Sequence, residues 1–243
     1  MENNRQEIDL NFLNEQGELL PLDILQKKLE EIYNQIKENA CNESSVLEHF
    51  VNQECQINAD EVLETFSFLN RSLYLCTEIT HEHAIAFSDA IKFWNEMDNL
   101  DNIPIEERDP IKIYIDSPGG DLDATFSIID SITLSKTPIT TITIGSGDSG
   151  GFFIGIVGHK RIGYPHSSYL FHEGCCANEG DAHKYIQFTE FYKKKLSMLK
   201  KLVLNNTKLS ENDYEESRKD DLWLTAEEAL KYGIIDEIAT ELI

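Results

Sequence analysis

Three short segments in the middle of the chain bring together the residue types of a serine nucleophile site. Residues 117–120 read Ser-Pro-Gly-Gly, residues 145–151 read Gly-Ser-Gly-Asp-Ser-Gly-Gly, and residues 169–172 read Tyr-Leu-Phe-His. They offer backbone N–H groups without side chains, a serine in a glycine-flanked turn, and a histidine. A serine hydroxyl is a weak nucleophile that needs a base to take its proton and donors to stabilise the oxyanion. The residue types therefore indicate nucleophilic catalysis by Ser149, with His172 as its base.

The elements that must position these residues are predicted from hydrophobic periodicity. Strands are predicted at 73–75, 111–115, 138–144, 159–164 and 169–172, and helices at 81–97, 121–135, 152–157 and 181–204. A capping box from Thr225 to Glu228 predicts one more helix, which Gly233 ends. Strands that alternate with helices predict an α/β fold with mainly parallel strands. In such a sheet, reactive groups gather beyond the carboxyl ends of strands, which is where Ser149 lies.

The turn around Ser149 is not specific when it is considered alone. A glycine-rich turn with a helix-capping serine explains it at least as well as a nucleophile does. Residues 147–151 also match the nucleophile motif of trypsin-like proteases. Those enzymes are antiparallel double barrels with disulfides, whereas this chain has helices between its strands and no disulfide pattern, so we treat the match as chance.

Four motifs in a fixed order are far more specific together than any one of them. They are the segment at 115–120, Ser149, His172, and a C-terminal signature at 220–229 with 232–236. In this combination the chain resembles the Clp peptidase (ClpP) family of self-compartmentalised serine proteases over about residues 68–240. Chance does not readily produce four motifs at fitting intervals.

The resemblance implies a role for each matching residue. Ser149 corresponds to the nucleophile and His172 to the general base. Asp221, three residues before the Leu-Thr-Ala step, corresponds to the aspartate that orients the histidine. The backbone N–H groups of Gly120 and Gly150 correspond to the oxyanion hole. Asp220 is the natural competitor of Asp221.

The resemblance also implies an architecture and partners. It predicts the ClpP/crotonase-like superfold of repeated ββα-type units with mainly parallel strands and a long handle helix at 181–204. That helix would interlock two heptameric rings, and a strand near 174–180 would line the substrate channel. The implied substrates are peptides or unfolded proteins, and the implied partner is an ATP-dependent unfoldase. No metal and no organic cofactor is expected.

Several positions depart from the family's pattern. Gly150 stands where the family usually has methionine, and Asp148 stands where it has alanine, which puts a carboxylate beside the nucleophile. Residues 173–180 lack the usual Gln-Pro and much of the glycine pattern. Residues 1–60 do not resemble the family's short N-terminal loops.

The chain divides into two predicted parts of different character. Residues 1–60 are interpreted as a helical N-terminal extension of unknown role, with an amphipathic helix from Pro21 to about residue 36 and weaker helical segments at 46–56 and 59–66. Residues 61–243 form the predicted peptidase domain.

Charge and composition narrow the range of partners. The net charge of −23 and the pI near 4.5 argue against nucleic acid and anionic membranes as main partners. The apolar stretches are too short to span a bilayer, and the polar N-terminus is not a secretory signal. Five cysteines, two of them adjacent, indicate free thiols in a reducing compartment, so the expected location is cytoplasmic.

Two other groups of side chains could suggest a metal. His81 and His83 are two residues apart, a spacing that puts them on different faces of a helix and favours a surface cap. Cys175 and Cys176 follow His172 but have no second ligand pair at zinc-finger spacing. Neither group predicts a metal site.

Three alternative functions remain open. Acyl-CoA hydratases and isomerases share the superfold and its paired oxyanion donors, but they do not need serine, histidine and aspartate in this order. A catalytically silent subunit of a mixed ring is compatible with Asp148 and the altered 173–180 segment. A phage-type maturation protease with a dedicated partner would explain residues 1–60.

Overall fold

The computed structural model describes residues 66–177, 179–217 and 220–243. A boundary between two structural units lies between Leu69 and Asn70, and the second unit, residues 70–243, carries everything described below. The predicted helices before residue 66 lie outside the described residues. The assignment of residues 1–60 as a helical extension therefore stays a prediction.

The second unit alternates strands and helices along most of its length. The strands are β1 (Ser72–Leu75), β2 (Ile111–Ser117), β3 (Ile139–Asp148), β4 (Lys160–Gly163), β5 (Ser168–Phe171), β6 (Leu222–Thr225) and β7 (Glu237–Ile238). The helices are α1 (His81–Leu100), α2 (Leu122–Leu134), α3 (Gly150–Gly155), α4 (Ala182–Asn206), α5 (Glu211–Ser217) and α6 (Ala226–Lys231), with a 3₁₀ turn at Ile105–Glu107. Strands β6 and β7 and helix α5 were not among the predicted elements.

All seven strands belong to one mainly parallel sheet, which confirms the predicted α/β class. The main path of the sheet runs β1-β2-β3-β4-β7, and each neighbouring pair on it is parallel. Strand β5 pairs in parallel with the end of β3, and β6 pairs antiparallel with β5. Strands β3, β5 and β6 therefore form a second branch of the sheet.

The glycine-rich segment behaves differently from the prediction. Residues 145–148 continue β3 instead of forming a turn. The first half of β3 pairs with β4, whereas Ser146, Gly147 and Asp148 pair with β5. Tertiary pairing thus supplies the backbone partners that make a strand of a sequence with poor strand propensity. The turn itself begins only at Ser149.

The core lies between the sheet and the helices that pack on it. Ile113 and Ile115 of β2 are fully buried, as are Ile128 and Ile132 of α2. Burial of one such side chain contributes about 1.5–3 kcal/mol. The start of α2 is fixed by Asp121, whose side chain accepts the Ala124 N–H at 2.8 Å.

Helix α1 begins with a reciprocal cap. Thr80 accepts the backbone N–H of His83, and the His83 side chain accepts the backbone N–H of Thr80. The His81-Glu82-His83 motif therefore begins a helix, and its interpretation as a surface cap is confirmed.

Helix α4 confirms the long helix predicted at 181–204. Only Leu199 and Val203 among its residues are buried, and Tyr185, Ile186 and Phe191 are more than half exposed. The strand expected near 174–180 does not form, since the described residues of this segment have no regular secondary structure. No helix of the described residues is both long and apolar enough to cross a membrane.

Candidate active site

The branch of the sheet formed by β3 and β5 brings the predicted nucleophile to the predicted base. Asp148, the last residue of β3, is the parallel partner of Leu170. Ser149 follows at once, and its backbone N–H donates to the Leu170 carbonyl at 2.9 Å. His172 lies two residues beyond Leu170, at the carboxyl end of β5. Pairing of two strand ends therefore places Ser149 and His172 at one edge of the sheet.

The antiparallel pair of β5 and β6 brings in the third predicted residue. Phe171 pairs with Leu222, so one further step along each strand puts His172 opposite Asp221. The two side chains lie 3.9 Å apart, measured from His172 Nδ1 to Asp221 Oδ1. The His172 side chain is 31% exposed and that of Asp221 is 56% exposed. Asp220 forms no ion pair with His172 within the described part of the chain.

Ser149 has the backbone of a constrained turn. Its φ of 54° and ψ of −114° lie outside the regions that side-chain-bearing residues ordinarily adopt, and such conformations concentrate at functional sites. The Ser149 side chain makes no capping hydrogen bond to α3, although the residue precedes that helix. The explanation of Ser149 as a helix-capping serine is therefore wrong. No hydrogen bond joins Ser149 to His172 within residues 66–177, and such bonds are often loose without substrate.

The glycine loop packs directly against the nucleophile. Gly119 has a φ of 92°, and a Cβ atom there would lie 2.7 Å from both the Ser149 Cβ and the Gly150 nitrogen. The loop is held by the preceding segment, because the Ile79 N–H donates to the Gly119 carbonyl at 2.8 Å. Sequence reasoning singled out Gly120 and missed Gly119 as the residue of closest approach.

The two predicted oxyanion donors remain available. Among the hydrogen bonds of the described residues, none uses the backbone N–H of Gly120 or of Gly150. Gly150 is the first residue of α3, where an N–H has no partner within the helix. Both amides can therefore donate to an added group.

The absence of a side chain at Gly150 has a packing reason. A Cβ atom at Gly150 would lie 2.6 Å from Thr125 Oγ1 and 2.7 Å from Ile79 Cδ1. Thr125 and Ile79 are both buried. They occupy the space that a side chain at this position would need.

Asp148 adds a second carboxylate close to the base. Its partner Leu170 and His172 are two residues apart, so Asp148 and His172 lie on the same face of the sheet. The Oδ1 atom of Asp148 is buried and has no hydrogen-bond partner within the described residues. Burial raises the pKa of Asp148 and the Asp116 carboxylate adds to this, while the Ser146 hydroxyl, the Leu170 backbone and His172 oppose it. The negative charge of Asp148 is thus disfavoured in the folded protein.

The aromatic residue Tyr214 is a further part of the site that sequence reasoning missed. It is fully buried in α5, and its hydroxyl donates to Glu173 Oε1 at 2.9 Å. The only sequence signal is an aromatic residue in a polar helix, which does not indicate a partner 41 residues away.

The described residues contain no group of three histidine, cysteine or acidic side chains arranged to hold a metal ion. Cys175 and Cys176 are exposed free thiols.

A family model described as Clp protease matches residues 57–242. The ATP-dependent Clp protease proteolytic subunit 2 of Treponema denticola is 37% identical over 132 residues, which cover 54% of this chain and 66% of the relative. The corresponding subunit 2 of Treponema pallidum is 35% identical over 131 residues, which cover 53% and 66%. The ATP-dependent Clp protease proteolytic subunit of Leuconostoc citreum is 35% identical over 147 residues, which cover 56% and 72%. The chain thus spans about two thirds of the length of the curated relatives it matches.

Proposed function

The chain belongs to the Clp protease family, and from this membership and the geometry around Ser149 we propose that it is a serine endopeptidase. In the proposed reaction, Ser149 Oγ attacks the carbonyl carbon of a peptide bond while His172 takes the hydroxyl proton. The carbonyl oxygen becomes an oxyanion, which accepts hydrogen bonds from the N–H groups of Gly120 and Gly150. One such donor is typically worth about a hundredfold or more in rate.

The second half of the reaction uses the same residues. The tetrahedral intermediate collapses, His172 gives its proton to the leaving amine, and an acyl-enzyme remains on Ser149. A water molecule then gives a proton to His172 and attacks the ester, which releases the new carboxyl end and restores Ser149. Asp221 holds the His172 tautomer and stabilises the imidazolium in both halves.

One observation carries the proposal. The pairing of β3 with β5 and of β5 with β6 delivers Ser149, His172 and Asp221 to one sheet edge from three separate strands. A glycine loop with free amides lies against that edge. Strand pairing that served only to pack the core would not need to bring a serine, a histidine and an aspartate to the same edge.

The proposed assembly and partners follow from the family. We propose that the chain forms heptameric rings, two of which stack on each other, and that its substrates are peptides or unfolded proteins. Helix α4, with Tyr185, Ile186 and Phe191 exposed, supports a contact between copies of the chain. The names of the relatives support an ATP-dependent partner. The reaction needs neither a metal nor an organic cofactor.

The experiment that tests the proposal is labelling of the purified full chain by a fluorophosphonate, with the native mass measured in parallel. We expect one label per chain, lost in Ser149→Ala and kept in the matched control Ser146→Ala. A chain that stays unlabelled in a folded oligomer contradicts the proposal.

The alternative of a catalytically silent subunit in a mixed ring is favoured by two observations. The His172–Asp221 distance of 3.9 Å exceeds a hydrogen bond, and the Asp148 carboxylate lies beside the nucleophile. A silent subunit would remain unlabelled alone and would also remain unlabelled after mixing with active relatives. A phage-type maturation protease with a dedicated partner would instead be labelled only when that partner is present.

A further inference from the structure

Tyr214 is anchored to the residue that follows the proposed base. Its side chain is fully buried, and its hydroxyl donates to Glu173 Oε1 at 2.9 Å. Glu173 is covalently joined to His172, so this hydrogen bond fixes the chain on one side of the histidine. A buried hydroxyl that loses its partner is costly, and bonds to charged acceptors are stronger than neutral ones.

The ring of Tyr214 contacts the residue on the other side of the histidine. Its centroid lies 5.2 Å from that of Phe171, which is itself fully buried. Phe171 also packs on Phe152 and Phe153, with centroid distances of 5.4 and 5.9 Å. These two residues lie in α3, directly after Ser149. A single aromatic cluster thus connects helix α3, which follows Ser149, with strand β5, which precedes His172. Its members are Phe152, Phe153, Phe171 and Tyr214.

The helix that carries Tyr214 also leads to the proposed orienting aspartate. Helix α5 ends at Ser217, shortly before Asp221. The helix is tied to α4 by Lys200, whose Nζ donates to Glu211 and Glu215 at 2.7 Å each. The same Nζ lies 5.6 Å from the centroid of the Tyr214 ring. Tyr214 is therefore held from α4 as well as from its own helix.

From these contacts we propose that Tyr214 is a positioning residue that keeps the His172 ring aligned with Asp221. The proposal rests on the proposed function, because it names a residue that serves the same site. In this role Tyr214 acts through other residues and not on the substrate itself. It acts by fixing Phe171 and Glu173, the two neighbours of the histidine, through a ring contact and a hydrogen bond.

The variant Tyr214→Phe isolates the hydroxyl, since it keeps the ring and its place in the cluster. We expect the rate of Ser149 labelling by a fluorophosphonate and kcat for a peptide substrate to fall about 10- to 100-fold, because a small misplacement of a catalytic group has effects of this size. We expect KM to stay close to that of the unchanged protein and the variant to remain folded at the assay temperature, although loss of the hydrogen bond lowers its melting temperature. Labelling within twofold of that protein would overturn the proposal.

Variants at Glu173 provide the matched controls. Glu173→Gln keeps an oxygen that can accept from Tyr214, so we expect it to retain most activity, whereas Glu173→Ala should match Tyr214→Phe. The double variant Tyr214→Phe with Glu173→Ala should be no worse than either single variant. Additive losses would show that the two residues act separately and would overturn the proposal.

A measurement that does not depend on activity separates this proposal from the proposed function. The chain has seven histidines, and their ring signals are observed by NMR on the full chain, with His172 assigned from His172→Ala. We expect Tyr214→Phe to shift or broaden the His172 signals and to leave the signals of histidines outside the site, such as His159, unchanged. If the His172 signals do not change in Tyr214→Phe, the positioning role is overturned, even when the chain does not react with the label. If the His172 signals change but the unchanged protein is not labelled at Ser149, only the proposed peptidase function is overturned.

Discussion

His172 and Asp221 face each other one step beyond the last paired residues of β5 and β6, with 3.9 Å between Nδ1 and Oδ1. Antiparallel pairing decides which aspartate takes this position. Asp221 directly precedes β6 and lies opposite His172, whereas Asp220 is one residue further from the paired strands. The register of two short strands therefore selects Asp221 as the partner of the histidine.

The two aspartates are distinguished by asparagine substitutions that keep size and shape. We expect Asp221→Asn to lower kcat for a peptide substrate by roughly 10³- to 10⁴-fold, because the amide no longer stabilises the imidazolium or the correct tautomer. Asp220→Asn is the matched control and should stay within about threefold of the unchanged protein. Steady-state kinetics at saturating substrate measures both. Loss of activity in Asp220→Asn alone would show that Asp220, and not Asp221, is the partner of His172.

Gly119 gives a test of the close approach between the glycine loop and the nucleophile. An alanine there combines an unfavourable φ of 92° with a Cβ atom 2.7 Å from Ser149 Cβ, so the loop must move away. We expect Gly119→Ala to lower kcat/KM about 100-fold or more, since the proposed oxyanion donor at Gly120 moves with the loop. Peptide hydrolysis and thermal unfolding are measured together.

The control for this variant is Gly233→Ala. Gly233 also has a positive φ, of 65°, but an added Cβ atom there meets the flexible side chain of Lys208 far along the chain from Ser149. We expect Gly233→Ala to lower the melting temperature and to leave kcat/KM unchanged. Equal losses of activity in both variants would mean that backbone strain, and not contact with Ser149, accounts for the effect.

The regular elements were predictable because their patterns are local. The alternation at 111–115 and the helical period at 181–204 both appear in the structure as β2 and α4. The residues of the proposed site could be chosen only because four motifs were considered together. Ser149 alone was as well explained by a helix cap, and the structure removes that explanation because the side chain does not cap α3.

What the sequence could not predict depends on contacts between distant residues. Ser146, Gly147 and Asp148 extend β3 because β5 pairs with them, and nothing in the local sequence indicates that partner. Helix α5 is short and strongly polar, so it has almost no apolar periodicity to detect. The packing of Thr125 and Ile79 into the space beside Gly150 is likewise visible only in three dimensions.

Asp148 predicts an unusual dependence of stability on pH. Because burial raises its pKa, the folded protein binds this proton more tightly than the unfolded chain does. The contribution of Asp148 to the free energy of unfolding is therefore lost as pH rises from about 3.9, the pKa of an unfolded aspartate, through the higher folded value. We expect Asp148→Asn to melt at a higher temperature than the unchanged protein at pH 7 and at the same temperature near pH 3.5.

Thermal unfolding between pH 3.5 and 8 measures this difference. Asp130→Asn is the control, because Asp130 is exposed on α2 and a surface substitution there should shift stability by less than about 0.5 kcal/mol. A constant difference between Asp148→Asn and the unchanged protein at every pH would mean that packing, and not the charge, is responsible.

The ion pair between Arg71 and Asp98 lies at the end of the strands opposite to Ser149. Variants of this pair therefore test whether stability can change without a change in catalysis. Asp98 is 1% exposed and accepts from Arg71 at 2.5 and 2.9 Å and from the Thr137 hydroxyl at 2.6 Å. Burial opposes ionisation, but these hydrogen bonds outweigh it and lower the pKa of Asp98. Its contribution to stability is therefore present above pH 3.9 and is lost as pH falls through the folded value.

We expect Asp98→Asn to lower the free energy of unfolding at pH 7 by about 3–5 kcal/mol, because it leaves Arg71 without its buried counter-charge. The difference should shrink as pH falls towards 3, and it is measured by urea unfolding. The exposed Glu96→Gln, which removes a Lys92 pair on the same helix, should cost less than about 0.5 kcal/mol. At temperatures where both variants are folded, kcat should equal that of the unchanged protein, since Arg71 and Thr137 precede β1 and β3 whereas Ser149 follows β3. A fall in kcat of folded Asp98→Asn would mean that the end of the sheet near Arg71 is coupled to the site around Ser149.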